Sequence, residues 1–275
     1  MRKTIFASVA VGTVLAAGLG APAMAVDDGK AELSVFHGIP GLTVDVYVNG
    51  ELTLDDFEPG DMGGPLQLAP DTYSVAITAA DAADDSEPVL GPIDLPLEAD
   101  MSYTAVAHLT ADGDPTATLF TNDISETASG EGRLTVRHVA AAPAVDIWAD
   151  GAVLFSNLAN PDEMMGDVPA ATYEAAVSLT GETDPVLGPT DVPIESGVNT
   201  IVYAWGSAAD ANLALAVQTV DTATQDSATP TGVQAGTQGF ADEGSSMSIA
   251  ATVGILAALG LAGFGVTAAV SRRGR

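Results

Sequence analysis

Two histidines in matching sequence contexts are the residues of this chain best suited to chemistry. His37 ends the run LSVFH and His138 ends the similar run LTVRH, and an aspartate follows each at the same spacing, Asp45 and Asp146. An imidazole near a carboxylate can ligate a metal ion or transfer protons. The alternative is structural, since a buried histidine at the end of a strand can hold a loop by a hydrogen bond to a carbonyl.

The two aspartates also belong to an acidic and aromatic pattern, found in the segments VDVYVNG and VDIWADG. Alternate residues of a strand lie on opposite faces, so the side chains opposite the aliphatic ones are Asp45, Tyr47, Asp146 and Trp148. Such a face suits a ligand platform, because aromatic rings stack on sugars and peptides. The alternative is a second buried face, where large rings fit by volume. The candidate binding residues are therefore His37, Asp45, Tyr47, His138, Asp146 and Trp148.

Further carboxylates gather in the acidic loop DAADDSE at 81–87, preceded by Asp55, Asp56 and Asp61. Clustered carboxylate oxygens suit calcium. The chain has no EF-hand loop, however, and the corresponding stretch GETD at 181–184 lacks the cluster. A solvated acidic surface is the alternative, and we predict no metal ion and no cofactor.

Familiar catalytic patterns are absent from the sequence. It contains no G-x-S-x-G, no H-E-x-x-H, no phosphate-binding glycine loop, and only 3 histidines. The absence of cysteine excludes disulfides, zinc–thiolate sites, iron–sulfur clusters and cysteine nucleophiles. We therefore expect a protein that is not an enzyme. The alternative is a metal-dependent or hydrolytic site around His37 and His138.

The candidate residues occur twice because the chain contains one unit twice. The segment PVLGP occurs at 88–92 and again at 185–189, and other matches follow in the same order. The offset between matching residues shrinks only from 101 to 97, so the copies differ by short loop deletions. This predicts a tandem duplication, with a first repeat at 31–122, a linker at 123–132 and a second repeat at 133–221.

Each repeat shows the pattern of short β-strands. Apolar and polar residues alternate from Leu33, and Asn-Gly at 49–50 and Asp-Gly at 150–151 are hairpin signals because both residue types tolerate positive φ. We predict six to seven strands per repeat, with the stretch between Pro92 and Pro96 as an edge strand or an irregular strand. Predicted strands include 33–37, 44–48, 72–78, 102–109 and 116–121, with 199–205 and 213–220 in the second repeat. The predicted fold class is all-β, with two tandem immunoglobulin-like or transthyretin-like β-sandwich domains and a C-terminal transmembrane helix.

Two tyrosines open a strand directly after a turn, Tyr73 in the first repeat and Tyr173 in the second. This position is typical of the tyrosine corner of sandwich domains, in which the hydroxyl bonds to backbone a few residues upstream. We predict a stabilising role for both.

Together these elements resemble the bacterial secreted domain of unknown function 4397. They are a first strand that ends in His, a Pro-containing loop, the string VDVYVNG, which is VDIWADG in the second copy, and a later strand that opens with Thr-Tyr. The loops depart from the family pattern, since they read HGIPGLT and HVAAAPA. The glycine usual before Thr-Tyr is replaced by Asp71 and Ala171. The resemblance implies an exported β-sandwich, and since the family's activity is unassigned it implies no chemistry.

The N-terminus has the parts of a secretory signal peptide. Basic residues at 2–3 precede an apolar run at 5–19, and an A-x-A site ends at Ala25. We predict that residues 1–25 are removed. The alternative is a membrane anchor.

The C-terminus has the parts of a membrane anchor. The apolar segment 249–270 is long enough to cross a bilayer at roughly 1.5 Å per residue. Basic residues in the tail 271–275 place that tail in the cytoplasm. The preceding stretch 222–248 is rich in Thr, Ser, Gly, Ala and Gln, which predicts a flexible stalk. The alternatives are a buried core helix and, because the order of elements is that of a sorting signal, cell-wall attachment, although an LAxTG motif is matched poorly.

Charge sets the expected environment and partners. The chain has 37 acidic and 8 basic residues, a net charge of −29, which argues against nucleic-acid binding. All acidic residues lie between Asp27 and Glu243, where only Lys30, Arg133 and Arg137 are basic. We expect a cell-membrane protein with an extracellular part in a binding or structural role. Its predicted partners are the membrane and an envelope polymer or surface protein.

Overall fold

A computed structural model describes residues 29–222, which form β-strands and the loops between them. The strands of the first repeat are β1 (Ala31–His37), β2 (Val44–Val48), β3 (Glu51–Phe57), β4 (Met62–Leu68), β5 (Asp71–Ala79), β6 (Leu90–Leu97), β7 (Met101–Leu109) and β8 (Pro115–Asn122). Those of the second repeat are β9 (Glu131–Ala141), β10 (Val145–Ala149), β11 (Ala152–Leu158), β12 (Glu163–Pro169), β13 (Ala171–Leu179), β14 (Pro185–Ile194), β15 (Val198–Ser207) and β16 (Ala214–Asp221). The chain is all-β over this range, as predicted.

Each repeat consists of two four-stranded sheets with the same strand order. The orders are β4-β1-β7-β8 and β3-β2-β5-β6 in the first repeat, and β12-β9-β15-β16 and β11-β10-β13-β14 in the second. The pairs β1–β7 and β9–β15 are parallel, and the other neighbours are antiparallel. We call the sheets that contain β1 and β9 the inner sheets and the other two the outer sheets.

The predicted hairpins form at the predicted dipeptides. Asn49 and Gly50 have φ angles of 52° and 78°, and Asp150 and Gly151 have φ angles of 50° and 75°. The residues on either side of each dipeptide pair with each other. Positive φ at both central residues is the requirement of the type I′ turn, whose twist matches that of the flanking strands.

The prediction of six to seven strands per repeat was wrong, because each repeat has eight among the described residues. The strands not predicted are β3 and β4 and their counterparts β11 and β12. Most residues of β3 are exposed, and β4 contains two glycines and a proline, which are depleted in strands. All four strands lie at sheet edges, where such residues are tolerated. The proline-containing strand β6 also lies at an edge, as predicted.

Aliphatic side chains between the inner and outer sheets form the core of each repeat. The second repeat's core includes Leu134, Val136, Ile147, Val177, Val192 and Val202. The first repeat's core includes Leu33, Val44, Val46, Ile77, Leu95 and Tyr103. Full burial stabilises the fold by about 1.5–3 kcal/mol for each large aliphatic side chain.

The two inner sheets also pack against each other, so the central strands β1, β7, β9 and β15 are buried on both faces. A further apolar cluster lies between them and contains Phe36, Val106 and Phe120 of the first repeat with Val139, Ile201, Tyr203 and Val220 of the second. The rings of Phe36 and Tyr203 have centroids 4.8 Å apart. Glu32 and Ser34 of β1 are only 3% and 4% exposed. The polar face of β1 is therefore an interface between repeats, and both repeats belong to one compact unit.

Arg137 is the centre of a polar network in this interface. Its guanidinium is fully buried and donates from Nε to Glu163 Oε2 at 2.8 Å. It also donates from Nη1 to Tyr203 Oη at 2.8 Å and from Nη2 to Asn122 Oδ1 at 3.0 Å. The ring of Phe120 lies 4.4 Å from its Cζ. Asn122 and Phe120 belong to the first repeat, so Arg137 joins the two repeats directly.

The network continues into the first repeat and ends at a buried carboxylate. Asn122 Nδ2 donates to Ser102 Oγ at 3.0 Å, and Ser102 Oγ donates to Glu32 Oε1 at 3.1 Å. Gln67 Nε2 donates to Glu32 Oε2 at 3.2 Å. Burial raises the pKa of Glu32, and the bonds from Ser102 and Gln67 partly oppose that rise.

The segment between the repeats is held by the second buried arginine. Arg133 Nη1 lies 2.8 Å from Asp123 Oδ1 and donates to the Ser125 carbonyl at 3.1 Å. Its Nε donates to Asp167 Oδ1 at 2.8 Å. Strand β9 begins at Glu131, so the segment without strand structure is 123–130. Arg133 therefore fixes this segment against the second repeat.

Within residues 29–222, no helix is long and apolar enough to cross a membrane. The predicted signal peptide, transmembrane segment and tail lie outside the described residues, as does the predicted stalk beyond Thr222.

We expect the substitution Arg137→Met to lower the free energy of unfolding by about 3 kcal/mol, because it leaves Glu163 without its cation and removes one of the two donors to Asn122 Oδ1. Adding Glu163→Gln should recover part of this loss, since the uncompensated charge is then removed. Urea denaturation of the full-length chain measures both effects. Wild-type stability in the single variant would contradict the proposed role of Arg137.

Candidate functional site

His37 is buried at the end of β1, where it holds the loop that leads to β2. His37 is 1% exposed, and its Nε2 lies 2.6 Å from the Leu42 carbonyl oxygen. Burial lowers the pKa of His37, and the bond to Leu42 opposes this only in part. The neutral ring therefore donates from Nε2 and closes the loop. This is the contact that the structural interpretation predicts.

His138 repeats this arrangement in the second repeat. Its Nε2 lies 2.9 Å from the Pro143 carbonyl, and the Ala140 backbone N–H points at its Nδ1 from 3.4 Å. Burial lowers its pKa as well. Both ring nitrogens thus face backbone groups of the same repeat, and the residue is 1% exposed. Neither repeated histidine presents a nitrogen to solvent.

The third histidine, His108, was not singled out from the sequence. It is fully buried in β7, with Nδ1 2.8 Å from the Leu109 carbonyl and Nε2 2.9 Å from Thr118 Oγ1. Burial lowers its pKa, and the charge of a protonated His138 would lower it further. His108 is therefore a neighbour of His138 across the interface. A comparison of the two repeats could not indicate His108, because Trp205 occupies the matching position of the second repeat.

The two repeated aspartates bind backbone groups of the outer sheets. Asp45 Oδ1 accepts from the Asp56 N–H at 2.9 Å, and Asp146 Oδ1 accepts from the Asn157 N–H at 2.8 Å. Asp56 and Asn157 have φ angles of 53° and 57°, a left-handed conformation that Asp and Asn tolerate best after glycine. Asp146 Oδ2 also accepts from the Gly181 N–H at 2.9 Å, and these two bonds lower its pKa. Both aspartates thus stabilise an irregular point in an edge strand.

Tyr47 and Trp148 are the two candidate residues whose rings are partly exposed. Trp148 Nε1 donates to Ser178 Oγ at 2.8 Å, which fixes the indole on the outer sheet. Loss of hydration raises the pKa of Tyr47, and the nearby carboxylates of Asp45, Asp85 and Asp84 raise it further. The tyrosine therefore lies in an acidic part of the first repeat's surface.

Of the carboxylates considered for calcium, the structure brings Asp55 and Asp56 together with Asp45. Oxygens of Asp45, Asp55 and Asp56 lie within 4.8 Å of one another. From the predicted loop, Asp84 Oδ1 instead accepts from the Ser86 N–H at 3.0 Å. The second repeat has Ser156 and Asn157 in place of Asp55 and Asp56, so this carboxylate cluster is not repeated.

Both predicted tyrosine corners are present. Tyr73 Oη donates to the Ala69 carbonyl and Tyr173 Oη donates to the Pro169 carbonyl, each at 2.9 Å. Each bond ties the start of a strand to the preceding turn. The predicted hydrogen bond from each tyrosine hydroxyl to upstream backbone is confirmed.

Comparison with known proteins gives one family. Residues 31–148 match the family described as Domain of unknown function (DUF4397), a segment that covers the first repeat and continues to Trp148 in β10. No curated protein matches the chain in sequence. The family match thus agrees with the resemblance seen in the sequence and carries no assigned activity.

We expect the buried histidines to make the fold less stable as the pH falls below about 6.5. Their folded pKa values are lowered, so the unfolded chain binds more protons there, and each histidine contributes a limiting loss of about 1.4 kcal/mol per pH unit. Glu32 acts in the opposite direction because its pKa is raised. A comparison with His108→Gln isolates one histidine from these other groups.

The measurement is urea denaturation of the full-length wild type and of His108→Gln at about pH 7.5 and about pH 5.0. The stability advantage of the wild type over the variant should shrink at the lower pH. An advantage that is constant with pH would show that His108 titrates normally in the folded state.

Proposed function

We propose that this chain, which carries a DUF4397 domain over residues 31–148, is a non-enzymatic protein of the cell envelope that presents two joined β-sandwich repeats to a partner. The observation that carries the proposal is the burial of the inner sheets against each other. Since the central strands of both inner sheets are covered, the outer sheets, the edge strands and the loops are the surfaces that remain for a partner. Four of the six candidate residues stabilise loops or strands, and Tyr47 and Trp148 lie partly exposed on the outer sheets.

The second repeat belongs, in this proposal, to the same family as the first. The family match ends at Trp148, but β9–β16 have the strand order of β1–β8 in both sheets. The repeated His, Asp and Tyr residues also make the same types of hydrogen bond in both repeats. We assign both repeats to the immunoglobulin-like or transthyretin-like sandwiches, with one parallel pair in each inner sheet.

The proposed location is the outer face of a membrane. It is supported by the signal-peptide pattern of residues 1–25 and by the apolar segment 249–270 with its basic tail. A surplus of acidic residues between Asp27 and Glu243 keeps an exposed domain soluble. The stretch after Thr222 would then separate the sandwiches from the bilayer.

A metal-dependent or hydrolytic site around His37 and His138 is the competing hypothesis. It requires an accessible ring nitrogen, because a metal ligand or general base must reach its ion or substrate. The Nε2 atoms of His37 and His138 instead face the Leu42 and Pro143 carbonyls. These contacts support a structural role, and the binding experiment below distinguishes the two hypotheses.

We expect the full-length chain to bind saturably to isolated cell-wall polymers, measured by sedimentation with increasing amounts of polymer. The double substitution Tyr47→Ala and Trp148→Ala should weaken binding at least tenfold, since it removes the partly exposed rings. The matched control is His37→Gln with His138→Gln, which should lower thermal stability and leave the affinity of the folded protein unchanged. If the histidine variant folds fully but no longer binds the polymer, the result would favour the hypothesis of a site around His37 and His138. Absence of saturable binding by the wild type would reduce the proposed role to that of a spacer.

The absence of cysteine allows a clean test of topology. Ala111→Cys lies in the exposed turn between β7 and β8, and Ser271→Cys lies in the predicted cytoplasmic tail. In intact cells a membrane-impermeant maleimide should label the first variant and not the second, and lysis should expose both. Labelling of Ser271→Cys in intact cells, or protection of Ala111→Cys, would contradict the proposed orientation.

A further inference from the structure

A cavity of about 280 Å³ lies between the two sheets of the first repeat, whereas the corresponding cavity of the second repeat measures about 30 Å³. Its walls are mainly aliphatic and include Val35, Val46, Leu54, Val75, Ile77 and Ala105. We infer that the first repeat binds a small neutral molecule with a medium-length hydrocarbon chain. This goes beyond the proposed envelope role and does not depend on where the protein is located.

Several positions that line the cavity have smaller residues in the first repeat than at the matching positions of the second. One row across the inner sheet consists of Gly63, Val35 and Ala105 in the first repeat, and of Met164, Val136 and Val202 in the second. On the outer sheet, Val46 pairs with Leu54, and in the second repeat Ile147 pairs with Phe155. Met164 and Phe155 pack against the second repeat's core. The duplicated framework is therefore filled in one copy and open in the other.

The chemistry of the walls selects an apolar occupant. The aliphatic part of the walls offers no hydrogen bonds to water, and apolar cavities of about 150 Å³ are known to stay dry and to bind benzene. The first repeat's cavity is nearly twice that size and approaches the lower limit of ordinary ligand pockets, about 300 Å³. A chain of several methylene groups fits this volume and this surface.

Exposed polar residues at the rim select the head group. Asn49, Glu51 and Thr53 line the cavity where it meets the β2–β3 hairpin, and all three are exposed. Glu51 is the charged residue among those that line the cavity, and its carboxylate repels an anionic head group. A hydroxyl can hydrogen-bond at this rim without that repulsion. The site therefore favours an alcohol over the fatty acid of the same length.

The test is isothermal titration of the full-length chain with 1-decanol and, separately, with decanoate. Wild type should bind one equivalent of decanol saturably and bind decanoate at least tenfold more weakly. Leu54→Phe with Ala105→Val introduces the second repeat's residues into the first, and should weaken decanol binding more than tenfold. The matched reverse change in the second repeat is Phe155→Leu with Val202→Ala. It should leave the affinity of the first repeat for one decanol molecule unchanged.

Two results would overturn the inference: no saturable binding of decanol by wild type, or equal binding by the filled variant. Equal affinity for decanol and decanoate would overturn the selection of a neutral head group. Far-UV circular dichroism establishes whether the filled variant folds. If the filled variant does not fold, the substitution Glu51→Gln at an exposed residue provides the test. It should raise the affinity for decanoate toward the affinity for decanol. An unchanged ratio of the two affinities would then count against the site.

Discussion

The burial of Arg137 between the inner sheets is the interaction on which the association of the two repeats depends. Removing an ion from water costs several kcal/mol, so a buried guanidinium requires nearly all of its donors to be satisfied. Here Glu163 supplies the countercharge, Tyr203 and Asn122 accept two further bonds, and Phe120 covers one face. These partners come from both repeats, so the bonds form together only in one register of the two sheets. The aromatic and aliphatic cluster around Phe36 supplies apolar burial, and the polar network supplies specificity.

The use of arginine in this interface also explains how two strongly acidic repeats can associate. The net charge of the chain is −29, and like charges facing each other would oppose contact. Arg133 and Arg137 both lie in the inner sheet of the second repeat, where they neutralise Asp123, Asp167 and Glu163. The remaining carboxylate in the network, Glu32, is held by neutral donors. The carboxylates of this network are therefore each paired with an arginine or hydrogen-bonded by neutral donors.

Much of the fold could be predicted from local sequence, and the unpredicted part depended on long-range packing. Strands β1, β2 and β5 follow from alternation, and both hairpins follow from Asn49-Gly50 and Asp150-Gly151. Strands β3 and β4 were not predicted, because pairing with β2 and β1 rather than local preference holds them. Alternation in β1 correctly separates two faces. It cannot show that the face with Glu32 is covered by a second repeat.

The site shows the same division between local and long-range information. A hydrogen bond from a strand-end histidine to a nearby loop carbonyl is local, and could be anticipated for His37 and His138. The role of His108 could not be anticipated, because its Nε2 contacts Thr118 on the next strand and its neighbour His138 belongs to the second repeat. The capping of left-handed residues by Asp45 and Asp146 was also missed, although the Asp-Asp and Ser-Asn pairs at the matching positions 55–56 and 156–157 carried a signal for it.

The packing of the two inner sheets limits how many repeats can associate in this manner. Each repeat uses the free face of its inner sheet, and the central strands of that face are then covered by the corresponding sheet of the other copy. A contact made by the same face on both partners closes on itself, unlike a head-to-tail contact, which can continue indefinitely. A third repeat added to this chain would find no inner face available. The two repeats therefore form a closed pair. An array of more than two repeats would have to use a different contact surface.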